Sequence, residues 1–564
     1  MVMLQQAVDA FKWLTVYEWI LLAIDLIVLI WYTVPIPKYY RWIDFLPGAG
    51  VVVAVLSMLD GDFTLLAIAF YTLTAVLFLC TPTKIWKPVY RIPVPKYRVL
   101  RAVLGLCGLA PLVLALMFAG ENRYNPVSSF GQMSYSQAFI QLNDRLAREY
   151  PFGERKKIDW EELEQTYEPL FRQAEQDKNK ALYYKTLRAY LFSFRDGHIK
   201  ITNENLYDHP VFKAEAGGGV GISTLQLDSG AVLVNLLLPG STAERSGIKL
   251  GAEILSWDGK EAKAAYRDTA WSENPMATDG DKWYNQGRFM VRAPVGKEVR
   301  IAYRNKGEAE IREVTLTAYD DQYETLLKTK VKLKREDAPL EGEILSNGYG
   351  YVKIRYLLPG AAMPDPGQVW VELLERFQKE GIKGLIIDVR DNPGGSDDLL
   401  AALAGHLTKE PALYEYVSYY SRITRKFEIN RQETRKIQPA QPSYQGKLAI
   451  LVNHRTASSG EGLPLLAKGW SNAHVVGFTG TNGSFGVVTS PIEIEMPEGY
   501  LLQFPDGRSL DANQQIQGDS DDRGEGGSMP DLNIPFNQQT FEAKYIRGED
   551  VELNVAVQAL EAMK

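Results

Sequence analysis

Two polar turns in the second half of this 564-residue chain carry the residue types that nucleophilic catalysis needs. The apolar run Leu385-Ile386-Ile387-Asp388-Val389-Arg390 ends in Asp391-Asn392-Pro393-Gly394-Gly395. A second run, Leu448 to Val452, ends in Asn453-His454-Arg455-Thr456-Ala457-Ser458-Ser459-Gly460-Glu461. If both runs are strands of one parallel sheet, both turns emerge at the same edge, where α/β folds place their sites. A serine opening a helix there projects its hydroxyl from a fixed turn, and the N–H groups at the helix start can stabilise an oxyanion. Helix capping alone also selects serine at such a position, but the pairing of two glycine-rich strand ends favours catalysis. Gly-x-Ser-x-Gly is absent around Ser458 and Ser459, so this is not the elbow of an α/β-hydrolase.

The elements that must position these turns are legible from periodicity. From about Ile344, strands alternate with helices: Tyr349 to Ile354, Gln368 to Glu380, Gly384 to Val389, Asp397 to His406, Lys447 to Val452 and Glu461 to Gly469. That alternation predicts an α/β layer with a largely parallel sheet. Upstream, Ser134 to Leu191 repeats apolar residues at helical spacing (Phe139, Leu142, Leu146; Leu182, Leu187, Leu191) and reads as a small helical subdomain. Between them, Gly217 to Ile222 opens a stretch of short β-like runs, and Asp320 to Glu341, rich in Lys and Glu, reads as the connector to the α/β part.

Before residue 120 the composition changes. Apolar stretches run from Leu14 to Val34, Phe45 to Leu59, Phe63 to Cys80 and Ala102 to Ala119, which predicts four membrane spans, or three if the short second stretch is re-entrant. Lys84, Lys87, Arg91, Lys96, Arg98 and Arg101 mark a cytoplasmic loop between the last two, so everything from Glu121 onward is expected outside the cytoplasm. Asp25, within the first stretch, reads as an interhelical hydrogen bond or a protonated carboxyl in preference to a polar pathway. A net charge of -7, with no basic stripe interleaved with aromatics, excludes nucleic acid as an expected partner. The only cysteines, Cys80 and Cys107, fall in the apolar stretches, which leaves the rest of the chain without a disulfide or thiolate metal site.

The two strand ends resemble those of the C-terminal processing (tail-specific) serine peptidases, whose crotonase-like core carries Asp-x-Arg-x-Asn-x-Gly-Gly and Thr/Ser-Ala-Ser-x-x-Glu. The resemblance makes Ser458 the nucleophile and Ser459, with Gly394 or Gly395, the oxyanion donors. Many members take their base from a lysine in the glycine-rich turn after the next strand. Here that turn, Gly477 to Gly486, holds no lysine, and Lys468 reads as a solvated surface charge. The Phe194-Arg195-Asp196-Gly197-His198 sequence instead resembles the tricorn-core branch, which implies His198 as general base. Imidazole suits that task because its ordinary pKa lies near neutrality. His454, four residues before Ser458, is the rival among the five histidines. The same branch implies a supporting carboxylate before Gly527-Ser528-Met529-Pro530-Asp531: Glu525, with Asp519, Asp521 and Asp522 as alternatives. No metal is expected in that acidic run, because Arg523 stands at a ligand position and the distal Glu of a calcium loop is missing. No cofactor is expected.

The β-rich stretch resembles a PDZ domain, with Gly219-Val220-Gly221-Ile222 as its carboxylate loop and Pro239 to Gly259 as its helix-turn-strand part. Such a loop holds a peptide's C-terminal carboxylate while the peptide adds a strand to the sheet. The expected organisation is therefore a membrane region over 1–120, a helical subdomain over 121–214, a PDZ domain over 215–320 and a crotonase-like serine peptidase core over 321–564. The expected function is a membrane-anchored, extracytoplasmic serine endopeptidase acting on protein substrates with free C-termini. The alternative is a catalytically silent ligand-binding or scaffold protein on the same fold.

Overall fold

A computed structural model describes residues 14–33, 43, 45–59, 65–79, 128–331, 333, 337–358, 365–421 and 425–563. They fall into two compact units, with residues 1–128 assigned to the first and most of the remainder to the second.

In the first unit, helices α1 (Val16–Thr33), α2 (Leu46–Leu59) and α3 (Leu65–Leu79) occupy the first three apolar stretches. Leu21, Phe70 and Leu73 are buried among them, and the Thr74 hydroxyl donates to Asp25 at 3.0 Å, one of the two roles expected for that carboxyl. Among the described residues no helix is long and apolar enough to cross a membrane. The expectation of spans here is corrected to that extent: α2 and α3, with 14 and 15 residues, extend only about 21 and 22 Å. The fourth stretch, Ala102 to Ala119, and the basic loop before it lie outside the described residues.

The second unit opens with α4 (Tyr135–Glu149), α5 (Trp160–Gln176) and α6 (Lys180–Ser193). Phe139, Leu142, Leu146, Leu187 and Leu191 are buried, as their spacing requires, and Leu182 is half-buried. An antiparallel sheet follows: β1 (Ile222–Gln226), β2 (Val232–Leu237), β3 (Glu253–Trp257), β4 (Glu298–Arg304) and β5 (Arg312–Thr317), in the order β5-β4-β3-β2-β1. Helices α7 (Ala262–Arg267) and α8 (Asp279–Phe289) lie between β3 and β4 in sequence. The connector Asp320 to Glu341 is not a plain linker at its start. There the Asp321 carboxylate pairs with Arg292 at 2.8 Å with both side chains buried, and Glu324–Lys328 forms a helical turn.

The α/β part has the expected alternation. Strands β6 (Leu340–Ile344), β7 (Gly350–Ile354), β8 (Leu385–Asp388), β9 (Leu448–Leu451), β10 (Ala473–Gly477) and β11 (Leu532–Asn533) form one sheet in that order. All neighbours are parallel except the edge pair β6–β7. Strands β8 and β9 are buried throughout, which explains their continuous apolar runs. Helices α9 (Pro366–Glu380), α10 (Asp397–Gly405) and α11 (Gly462–Ala467) contribute to the core on one face. Helix α12 (Val551–Ala562) packs with Ile386, Ala449 and Val476 on the other. Asp388 pairs in register with Leu451, so the two polar turns leave the sheet side by side.

Candidate active site

The turn after β8 is fixed by charge and by one buried amide. Arg390 holds Asp388 with two bonds (3.0 and 2.7 Å) and reaches Asp550 at the start of α12 with two more of 2.8 Å. Burial opposes ionisation of Asp388, yet Arg390 and Lys353 hold its carboxyl down at about 2. The wholly buried Asn392 then turns the chain: its Nδ2 donates to the Ile354 carbonyl, its Oδ1 accepts the Gly394 N–H at 2.8 Å, and its carbonyl accepts the Ala457 N–H. Gly394 has φ +96° and Gly395 φ +143°, backbone that only glycine adopts without strain.

The second turn is stitched to the first. Asp391 and Asn453 exchange hydrogen bonds of 3.0 and 3.1 Å, and the Thr456 hydroxyl donates to the Val389 carbonyl. Ser458 follows with φ +51°, a left-handed conformation costing a non-glycine residue about 1 kcal/mol. Such strain persists only where the surroundings over-determine it. A Cβ built on Gly394 would stand 2.6 Å from Ser458 Cβ, 2.8 Å from the Ala457 carbonyl oxygen and 2.9 Å from the Ser459 nitrogen, so the two turns leave no room for a side chain at that point. Ser459 donates from Oγ to the Gly395 carbonyl at 3.2 Å. Glu461, wholly buried, gathers the third turn: it accepts from the Thr481 hydroxyl and from the Gly483 and Ser484 N–H groups. Burial pushes its carboxyl up to about 8 against the pull of those donors.

Residues 348–530 match the family model of peptidase family S41. The carboxy-terminal processing protease CtpA of Bacillus subtilis (strain 168) is 22% identical over 300 residues, a match that spans about half of either chain. A carboxyl-terminal-processing protease of Picosynechococcus is 24% identical over 415 residues, 71% of this chain and 83% of that one. In fold, the chain is similar to the crystal structure of mature CPAF, with a TM-score of 0.55 at 15% identity over 76% of this chain and 98% of the other.

Outside the matched segment, the turn between α6 and the short strand Lys200–Ile201 brings His198 to the same place. His198 and Ser458 line one cavity of about 310 Å³ together with Asp281, Arg288, Asp391 and His454. Among the described residues no hydrogen bond joins His198 to Ser458. Behind the imidazole stands Asp196, buried, whose Oδ1 accepts the His198 backbone N–H and lies 3.8 Å from Nδ1, and whose Oδ2 accepts the Tyr150 hydroxyl at 2.7 Å. Burial lowers the His198 pKa below the ordinary 6.5, with Asp196 opposing. In the sequence, the signal for Asp196 is its place two residues before His198.

Other candidates fall elsewhere. Glu525 is corrected: it is exposed, pairs with Arg523 at 2.8 Å and sits in a surface turn closed on Asp521. Of its alternatives, Asp522 pairs with Lys157 and Asp521 with Arg523, whereas Asp519 is buried, accepts the Phe485 N–H and is pushed well up by burial and by Asp196. The Gly394 N–H is spent on Asn392, which removes it as a free oxyanion donor and leaves Gly395 and Ser459. His454 is buried and packs on the Tyr284 ring at 4.2 Å, and burial holds it well below the usual imidazole range. Lys468 is exposed, as expected.

The loop Gly219 to Ile222 is also more engaged than its glycines suggest. Gly219 exchanges both backbone bonds with Tyr319, and the Val220 and Gly221 carbonyls accept the Ala243 and Leu238 N–H groups. The end strand β1 is covered by α8: the Trp283 indole donates to the Gln226 carbonyl and the Thr224 hydroxyl to the Gly287 carbonyl. The free carboxylate loop expected from the PDZ resemblance is therefore corrected in part. Gly219 N–H is already paired, because the chain after β5 returns alongside it.

Proposed function

We propose that this chain is a serine endopeptidase in which Ser458 attacks a peptide carbonyl, His198 takes and returns the proton, and Asp196 fixes the histidine turn through the His198 backbone N–H. The observation that carries the reading is the strained Ser458 turn sharing one cavity with His198. Gly395 and Ser459 are the oxyanion donors in this scheme. Its protein substrates are the class named in the relatives, which are carboxy-terminal processing proteases. Recognition of a free C-terminus by the PDZ-like sheet requires a peptide beside β1, where α8 now lies, so it requires α8 to move aside.

The reading includes anchorage in a lipid bilayer with the catalytic region outside the cytoplasm. The helices of the first unit support it by turning apolar residues outward (Ile27, Ile30, Val52, Val55, Phe78) while Glu18 and Asp25 are buried. External protease added to intact cells is expected to degrade the C-terminal region, and full protection would refute this orientation.

The first test is reaction of the full-length protein with a fluorophosphonate probe, read by intact mass. One adduct is expected, lost in Ser458→Ala and formed much more slowly in His198→Ala. A folded protein without any adduct would instead support the silent binding reading.

The lowered His198 pKa gives a signed pH prediction. The acid limb of kcat/KM is expected below 6.5, so that activity persists into mildly acid buffer. In Asp196→Asn the opposing carboxylate is gone and the limb moves further to acid. For stability the sign follows from proton uptake: the folded histidine binds its proton less readily than the unfolded one. Its contribution is present above the unfolded pKa near 6.5 and is lost as pH falls toward the folded value. Rate profiles of the two proteins check the first claim, and urea melts across pH check the second.

A further inference from the structure

The glycine-rich turn that holds no lysine carries a buried serine near its end. Ser484 is 2% exposed and lines the same cavity as Ser458 and His198. Its carbonyl accepts the Ser458 N–H at 2.9 Å. Its hydroxyl accepts the Gly197 N–H, also at 2.9 Å, across 287 residues of sequence. Its own N–H is anchored on the buried Glu461. One residue thus holds the backbone on the nucleophile side and the backbone immediately before the histidine. The approach is close: a Cβ on Gly197 would stand 2.8 Å from Ser484 Oγ and 2.8 Å from Asn482 Oδ1.

We infer that Ser484 is a positioning residue that sets His198 against Ser458, its hydroxyl fixing the histidine turn and its carbonyl the serine turn. This rests on the proposed roles of Ser458 and His198. The hydroxyl acts only on the histidine side, because the carbonyl that holds Ser458 survives any change of side chain. Removing it leaves the Gly197 N–H without its acceptor and frees the turn to shift, and a displacement of about 1 Å between reacting groups costs on the order of 100-fold in rate.

The test uses the full-length protein and the rate of fluorophosphonate adduct formation at Ser458, resolved into the maximal rate and the half-saturating probe concentration. In Ser484→Ala the maximal rate is expected to fall by about 100-fold with half-saturation unchanged. Ser484→Thr, which keeps the hydroxyl, is expected to recover most of it. In a His198→Ala background, Ser484→Ala is expected to slow the residual reaction no further, since it acts through the histidine. Because Ser484 is buried, folding is checked by circular dichroism. Gly197→Ala, which presses on the same contact from the other side, is the second variant and is expected to lower the maximal rate as well. A Ser484→Ala protein within twofold of wild type, or one that loses the same factor with and without His198, overturns the inference alone. A wild-type protein that forms no adduct overturns the reading of Ser458 beneath it as well.

Discussion

Ser458→Ala and His198→Ala are each expected to lower the turnover of a cleaved protein by on the order of 10⁵-fold, with the double variant no slower than the worse single one. The reason is that the two side chains work on a single proton. Without the imidazole the Ser458 hydroxyl remains a weak nucleophile, and without the hydroxyl the imidazole has only water to activate. What survives is stabilisation by the oxyanion donors and by binding, which neither substitution touches. Binding of an unfolded substrate such as denatured casein is therefore expected to stay close to wild type. Initial rates of casein cleavage, with the amount of folded protein fixed by circular dichroism, measure the effect. Losses that multiply in the double variant would mean that the two residues do not serve one step, and the pairing of His198 with Ser458 would be wrong.

Gly394→Ala is the second large effect, and it requires no change in any chemical group. At φ +96° the new methyl would stand 2.6 Å from Ser458 Cβ, 2.8 Å from the Ala457 carbonyl oxygen and 2.9 Å from the Ser459 nitrogen. Two of those three atoms are backbone, so the clash is relieved only by moving the turn that carries Ser458 away from the turn after β8. A loss of about 10³-fold in rate is expected, comparable to removing an oxyanion donor outright. Overpacking at a buried site also costs on the order of 1–3 kcal/mol of stability. Gly240→Ala is the control. It has φ +71° and nothing within 4 Å of its built Cβ. It bears the left-handed penalty of about 1 kcal/mol and should leave the rate unchanged. Urea unfolding and casein cleavage of the two variants separate the general cost of an alanine at positive φ from displacement of the site. Equal activity in both would show that Gly394 does not set the position of Ser458.

What the sequence by itself determined was local. Leu385–Asp388 and Leu448–Leu451 are continuous apolar runs because they are strands covered on both faces, and the turns after them follow from Pro393, the glycines and Asn453. Phe139, Leu142 and Leu146 share a face because 3.6 residues make a turn. Ser458 could be singled out as the proposed nucleophile for the same reason: its turn is a short stretch whose residue types and backbone demands lie within a few residues. The tertiary structure alone decided which distant groups meet. Glu525 and Asp519 are six residues apart in one acidic run and equal in composition, but one carboxylate faces water beside Arg523 and the other is sealed near Asp196 and Lys156. Gly219 looks free in sequence, yet its N–H is claimed by Tyr319, a hundred residues on. Ser484 meets Gly197 only once the helical subdomain and the α/β sheet have closed on each other. Periodicity and turn preference act over a few residues, where the chain's own geometry fixes the outcome. Burial of a charge and satisfaction of a backbone N–H depend on which surfaces pack, and no local pattern encodes that choice.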